Sequence, residues 1–325
     1  MRTELSRDEL EALARGFGVG PLSAAAGLAK GSINTLYALE AGGARYVLRL
    51  SEGARTEREV RFELALLDYL AAARFPVPRV VRPGHGAFSL ARGKPAVLFH
   101  FVAGEEPALA DVTPARLLEL GAKLGRLHRL AEGFEERLHN RYSAATLEAL
   151  AAPGGPIDAH PRADAEVRAV LPTLTAEAHA WRRIPALPTG AIHADLFRDN
   201  VRFVGDRVAA ILDWEMACTD AFALDLAIAL NAWTFDASDR YSPALATALL
   251  AGYRSVRALT PEERDALWPL ARAGAARYTA SRLTDFHLAD LPADKLARKD
   301  WRRYEQRLAA LRCLGAHGFA ELCAL

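Results

Sequence analysis

The chain is poor in cysteine and lysine and almost free of net charge, and each shortage excludes something. Its three cysteines, Cys218, Cys313 and Cys323, are scattered over 325 residues with no C-x-x-C spacing. Such a set suits free thiols in a reducing compartment and builds neither a disulfide framework nor a zinc site. Lysine stands only at positions 30, 94, 123, 295 and 299, so arginine carries most of the positive charge. The formal net charge is +1, which makes no electrostatic case for nucleic acid or a membrane surface as a partner. No apolar run reaches the roughly 18 residues that a bilayer-spanning helix needs. Residues 1–4 lead straight into an amphipathic segment without the apolar centre of a secretory signal, so a cytoplasmic protein is expected. There are no internal repeats and no low-complexity tract. What remains is ordinary globular material, 51% hydrophobic and 25% charged, in a chain long enough for two lobes with their own cores.

The periodicities divide the chain. Ser6-Arg7-Asp8-Glu9 is a capping box that opens a helix ending near Gly16. Residues 33–39 and 44–50 alternate as strands around the turn Gly42-Gly43. A helix over 55–73 presents Val60, Leu64, Leu67 and Leu70 on one face and stops at Pro76-Val77-Pro78. Strands near 87–91 and 96–102 flank Arg92-Gly93. Beyond them the reading is mostly helical: 114–132, 161–183, the apolar 221–233, a helix opened by the capping box at Thr260-Pro261, and a basic amphipathic helix at 298–314. The segment 151–156 is a loop. The expected class is α+β, with an antiparallel-sheet N-terminal lobe and one crossing helix over 1–102, then a mostly helical lobe over 103–325.

The chemistry concentrates in residues 193–213, HADLFRDNVRFVGDRVAAILD. Asp195 and Asn200 share a polar loop, and Asp213 ends the apolar run Val208–Leu212 after a short hairpin. One Asp on such a loop suits orientation of an attacking hydroxyl. An amide oxygen and a second carboxylate suit Mg²⁺, a hard cation that takes oxygen ligands, held against ATP phosphates. Phosphoryl transfer asks a protein for alignment and charge neutralisation, and this donor set supplies both. His193 reads as structural support under the loop. His128 reads as a satisfied core residue, and Trp233 and Trp301 as core more than as an aromatic cage.

From Ile192 to Trp233, from Val256 to Asp285 and from Lys299 to Leu311, the sequence resembles the aminoglycoside phosphotransferase and choline kinase superfamily, and within it the homoserine kinase family. The resemblance implies the bilobal protein-kinase-like fold, with Asp195 as catalytic base and Asn200 and Asp213 as magnesium ligands. It makes Asp225 the buried acid that braces the catalytic loop. Gly31, Ser32 and Asn34 then fall where kinases cover the ATP phosphates, although the stretch is neither G-x-G-x-x-G nor a Walker A loop. Arg49 stands where kinases usually place a lysine against the α- and β-phosphates, paired with Glu63 or with Glu59. Phe99 to Phe101 would meet adenine. Asp220, Asn231, Arg277, Arg282 and Asp285 are candidates to line the acceptor pocket, and Glu215 adds an acid beside it. The implied activity is ATP- and Mg²⁺-dependent phosphorylation of a small amino compound, foremost L-homoserine in threonine synthesis, by a monomer or homodimer. Choline or ethanolamine, hydroxylysine, an aminoglycoside or a protein serine or threonine are the alternative acceptors. A non-catalytic nucleotide-binding pseudokinase is the alternative of another class.

Overall fold

Ser6 accepts the Glu9 N–H while the Glu9 carboxylate accepts the Ser6 N–H, and this box opens α1 (Arg7–Gly16). In the computed structural model, residues 3–28, 34–53, 55–236, 238–289 and 299–323 are described. The chain divides into two units. The first comprises Met1–Glu105 with Arg202–Val204 and Ala209–Glu215; the second comprises Glu106–Val201, Gly205–Val208 and Met216–Leu325.

The first unit is an antiparallel sheet in the order β1 (Leu22–Leu28), β2 (Thr35–Ala41), β3 (Ala44–Leu50), β6 (Lys94–His100), β4 (Val80–Val81), with β5 (Ser89–Ala91) also on β6. Period-two alternation sends Tyr37, Leu39 and Ala41 of β2 and Tyr46, Leu48 and Leu50 of β3 to one face, where Leu10, Leu13, Ala14 and Phe17 of α1 cover them. Val47 and Arg49 therefore belong to the opposite face. Helix α2 (Glu57–Ala72) buries Val60, Leu64, Leu67 and Leu70, the stripe expected from the sequence. Strand β1 escaped the sequence reading, which placed the first strand at 33–39. Its residues, Leu-Ser-Ala-Ala-Ala-Gly-Leu, have weak strand preference; pairing Ala26 with Ala38 and Leu28 with Leu36 makes the strand. Strand β6 ends at His100, two residues before the expected end. The later hairpin of β8 (Val201–Val204) and β9 (Arg207–Ile211) joins this unit through Glu105 and Phe203, whose N–H and C=O groups pair at 2.9 Å each way. Only glycine fits beside that bridge: Gly104 has φ +136, and a Cβ there would lie 2.9 Å from the Phe203 carbonyl oxygen.

The second unit is built on α6 (Phe222–Trp233), all twelve residues of which are buried. Around it stand α3 (Pro114–Ala131), α4 (Ala144–Ala151), α5 (Ala165–Arg182), α7 (Pro243–Arg254), α8 (Pro261–Arg282) and α9 (Arg302–Cys323), the last kinked at Gly315. Strands β7 (Thr189–Ile192) and β10 (Cys218–Ala221) pair antiparallel beside it. Helix α7 was not anticipated. It meets α3 backbone to backbone, since a Cβ on Gly252 would lie 1.9 Å from the Leu118 carbonyl oxygen. The expected helix at 161–183 starts at Ala165 on an Asp164 cap, and that at 298–314 starts at Arg302 and continues to Cys323. Trp233 and Trp301 are both buried.

Candidate active site

Strand β7 delivers His193, Ala194 and Asp195 at its C-terminal end. Ala194 adopts φ +61, a left-handed conformation that costs a non-glycine residue about 1–2 kcal/mol. Both of its backbone groups are tied down. Its N–H donates to Asp225 Oδ1 at 2.8 Å, and its carbonyl accepts from Arg277 Nη1 at 2.9 Å and from the Tyr278 hydroxyl at 2.8 Å. Asp225 Oδ2 accepts the His193 N–H at 2.9 Å and His128 Nε2 at 3.1 Å. This fully buried carboxylate thus holds the loop backbone with neutral donors alone.

The tautomers follow from the bonds. Arg257 Nη1 donates to the Tyr253 hydroxyl at 3.1 Å, so the tyrosine proton goes to His128 Nδ1 at 2.8 Å, and Nε2 carries the proton given to Asp225. Glu263 completes this buried chain by accepting from Arg257 at 2.9 Å. Burial dominates at His128 and holds its pKa below the ordinary 6.5. Burial pushes the other way at Asp225, but the bonds from His128 and the His193 N–H outweigh it and hold that carboxyl below its ordinary range. Asp195 N–H donates to His193 Nδ1 at 3.2 Å, so His193 carries its proton on Nε2.

Asp195 is gripped at both oxygens. Tyr278 hydroxyl lies 3.0 Å from Oδ1, and Asn200 Nδ2 lies 3.0 Å from Oδ2 and 2.8 Å from the Asp195 carbonyl. With its NH₂ engaged twice, Asn200 is left with its amide oxygen as the free donor atom. Tyr278 was missed in the sequence, where a tyrosine on the apolar face of a long helix reads as core. It is core as well, edge-on to Phe197 at 4.9 Å and beside Tyr304 at 5.1 Å.

In the first unit, Arg49 makes a two-pronged pair with Glu63 at 2.8 and 2.7 Å. Glu59 is not the partner, because its carboxylate accepts the Thr56 N–H at 2.7 Å and caps α2. A second arginine that sequence reasoning did not find, Arg55, reaches Glu63 Oε2 at 2.6 Å. Burial works against the Glu63 charge, but the two guanidinium groups prevail and set its pKa at about 2. Asp213 Oδ1 stands 3.8 Å from Arg49 Nη1, with its side chain 42% exposed and its backbone left-handed at φ +57. Asn34 Nδ2 donates to Glu215 Oε2 at 2.5 Å, and its Oδ1 accepts the Glu52 N–H at 3.2 Å. Gly31 and Ser32 lie outside the described residues. Phe99 is paired within the sheet to Val47 and Val80, and the Phe101 N–H donates to the Arg45 carbonyl at 3.0 Å. Ala24, Ala26, Ala38, Arg45 and Phe101 help to line a cavity of about 150 Å³ on this unit.

The acceptor candidates separate into groups. Arg277 lies 4.7 Å from the Tyr142 ring, and the Tyr142 hydroxyl donates to Asp285 at 3.3 Å. Asp220 accepts from Asn140 at 2.7 Å. Arg282 donates to the Asp300 carbonyl at 2.8 Å and lies over the Tyr304 ring. Asn231 is buried between α6 and α8 and donates to the Ala271 carbonyl at 2.6 Å, so its amide ties two helices together.

The model of the phosphotransferase enzyme family matches residues 24–259. The chain belongs to this family. It is 36% identical over 317 residues to a homoserine kinase of Methylorubrum populi, covering 94% of each chain. With a homoserine kinase of Gluconobacter oxydans it shares 37% over 313 residues, covering 94% of this chain and 96% of that one. Among solved structures, an amicoumacin kinase in complex with AMP-PNP and Ca²⁺ superposes with a TM-score of 0.68 at 18% identity, over 87% of this chain and 88% of that one, a likeness of fold. The protein is an ATP-dependent small-molecule kinase with an α+β, protein-kinase-like fold. Among the described residues no helix is long and apolar enough to cross a membrane.

Proposed function

We propose that this protein is a cytoplasmic kinase that transfers the γ-phosphate of Mg·ATP to the side-chain hydroxyl of L-homoserine. One observation carries the reading: Asp195 meets neutral donors at both carboxylate oxygens, Asn200 and the Tyr278 hydroxyl, whose single proton is shared with the Ala194 carbonyl, on a loop whose strained residue is fixed as well by Asp225 and Arg277. Such a carboxylate is positioned to accept the proton of an acceptor hydroxyl as the oxygen attacks. The acceptor itself is suggested by relatives that bear the name homoserine kinase at 36–37% identity.

The donor atoms suit a magnesium ion. Asn200 keeps its amide oxygen free because its nitrogen is engaged twice, and Asp213 offers a half-exposed carboxylate. When bound, Mg²⁺ supplies positive charge against the triphosphate. Arg49 and Arg55 share Glu63, and Arg49 also faces Asp213 at 3.8 Å, so a cation bound at Asp213 would leave a guanidinium charge for the α- and β-phosphates. Gly31, Ser32 and Asn34 would cover the phosphates, and the strand end at Phe99–Phe101 would meet adenine. Asp220 and Asp285 offer carboxylates to an ammonium group.

The test is ADP release across homoserine, choline, ethanolamine, hydroxylysine and kanamycin, with wild type and Asp195→Asn. Turnover is expected with homoserine and is expected to fall about a thousandfold in the variant, while ATP still raises its melting temperature. A signal on another acceptor with silence on homoserine overturns the substrate. A near-normal rate for Asp195→Asn overturns the base.

A further inference from the structure

Arg277 is 4% exposed and makes no ion-pair contact with any described residue, although the Asp195 carboxylate is near enough to favour its charged form. Other deeply buried arginines have carboxylates: Arg49 and Arg55 have Glu63, Arg257 has Glu263, and Arg307 has Asp239; Arg282, also buried, meets the Asp300 carbonyl and the Tyr304 ring. Burying a guanidinium without a counter-ion is costly. The Tyr142 and Tyr278 rings, 4.7 and 4.3 Å from its Cζ, offset only part of that cost. Its hydrogen bonds are equally lopsided. Nη1 donates to the Ala194 carbonyl at 2.9 Å, whereas Nε is buried and has no partner. The edge left over is the Nε–Nη2 edge, the fork that matches the two oxygens of a carboxylate. The carbonyl that Arg277 holds belongs to the residue just before Asp195, so an anion on that edge would lie close to the base. The same patch carries Asp285, reached through the Tyr142 hydroxyl.

We propose that Arg277 receives the carboxylate of the acceptor and makes the site selective for hydroxy amino acids over amino alcohols. This rests on the kinase reading above and adds to it the group that Arg277 recognises. The cation then completes its ion pair only when the acceptor is bound. Because Nη1 is bonded to the catalytic loop, a docked carboxylate also fixes the loop that carries Asp195.

The experiment compares kcat/KM for L-homoserine and for 3-aminopropan-1-ol, the same chain without its carboxylate, in wild type, Arg277→Gln and Arg277→Lys. Wild type is expected to favour homoserine strongly. In Arg277→Gln the homoserine value is expected to fall about thirtyfold more than the 3-aminopropan-1-ol value, with Arg277→Lys recovering part of the difference. Equal losses on both acceptors would reduce Arg277 to a support for the loop and overturn the proposal. A wild-type preference for 3-aminopropan-1-ol would overturn it while leaving the kinase reading intact. Should neither acceptor take phosphate, the kinase reading of homoserine falls. The carboxylate site is then read by melting temperature alone: L-homoserine must stabilise wild type and leave Arg277→Gln unmoved, and equal shifts in the two proteins sink it.

Discussion

Glu63 of the first unit and Asp225 of the second are both buried carboxylates, and they are held in opposite ways. Glu63 in the N-terminal unit sits between two guanidinium groups, Arg49 and Arg55. Asp225 in the C-terminal unit is surrounded by neutral donors: the N–H groups of His193 and Ala194 and the imidazole of His128. The difference fits what each is asked to hold. Two guanidinium groups on Glu63, one of them also facing Asp213, place charged partners where a metal-bound triphosphate would need them. Neutral donors around Asp225 let the carboxylate hold the backbone of the loop that presents Asp195 without forming an ion pair of its own.

The largest break in this comparison comes from Asp225→Ala. It strands two buried N–H groups and the His128 Nε2–H at once, and it releases the left-handed Ala194 from one of its ties. A loss of about 3–5 kcal/mol is expected in urea unfolding, together with loss of turnover. Stability within about 1 kcal/mol of wild type would mean the loop holds its own conformation and the brace is superfluous.

Asp225 was marked by the family resemblance, and its setting agrees with that. A lone Asp within Ala-Leu-Asp-Leu-Ala must find donors, and loop N–H groups are the natural ones. The spacing from Asp195 to Asn200 and Asp213 is likewise local. Tyr278 and Tyr253 left no such mark, because each acts on a residue distant in sequence: Tyr278 on Asp195 across 83 positions and Tyr253 on His128 across 125. Arg55 and Arg257 act close by, on Glu63 and on Tyr253 and Glu263, but a single arginine in a charged, arginine-rich stretch carries no pattern that marks it. The fold shows the same divide. Amphipathic helices and the tight Gly42-Gly43 hairpin were readable, whereas the alanine-rich β1 exists through pairing with β2 and α7 through glycine contacts with α3. The choice between Glu63 and Glu59 could not be made from spacing, because both lie on α2 one turn apart. Capping by Thr56 takes Glu59 out of contention.

A middle-sized effect sharpens the comparison at the base itself. Tyr278→Phe keeps the ring against Phe197 and Tyr304 and deletes only the hydroxyl shared by Ala194 and Asp195. We expect kcat to fall about tenfold, near 1.4 kcal/mol, with KM for ATP unchanged. Melting temperature should stay within a few degrees, since Arg277 still holds the Ala194 carbonyl. A changed KM for ATP with kcat intact would show that the hydroxyl does something other than position Asp195.

The smallest effect is graded by pH and separates the two carboxylates by their neighbours. His128 faces Asp225, Tyr253, Phe222, Arg257 and Glu263, and burial keeps it neutral in the folded protein. Its folded pKa lies below its ordinary 6.5, so below pH 6.5 the unfolded chain takes a proton that the folded protein refuses, and stability falls as pH drops through that window. Glu63 behaves otherwise. Its pKa is depressed from 4.5 to about 2, so its contribution is intact above pH 4.5 and is lost only as pH falls from there towards 2. Urea unfolding at pH 8, 6 and 5 should therefore show a decline that His128→Gln flattens, because glutamine can still donate to Asp225 without titrating. A decline of the same slope in His128→Gln would place the titration elsewhere and remove the neutral imidazole from the account of how the catalytic loop is held.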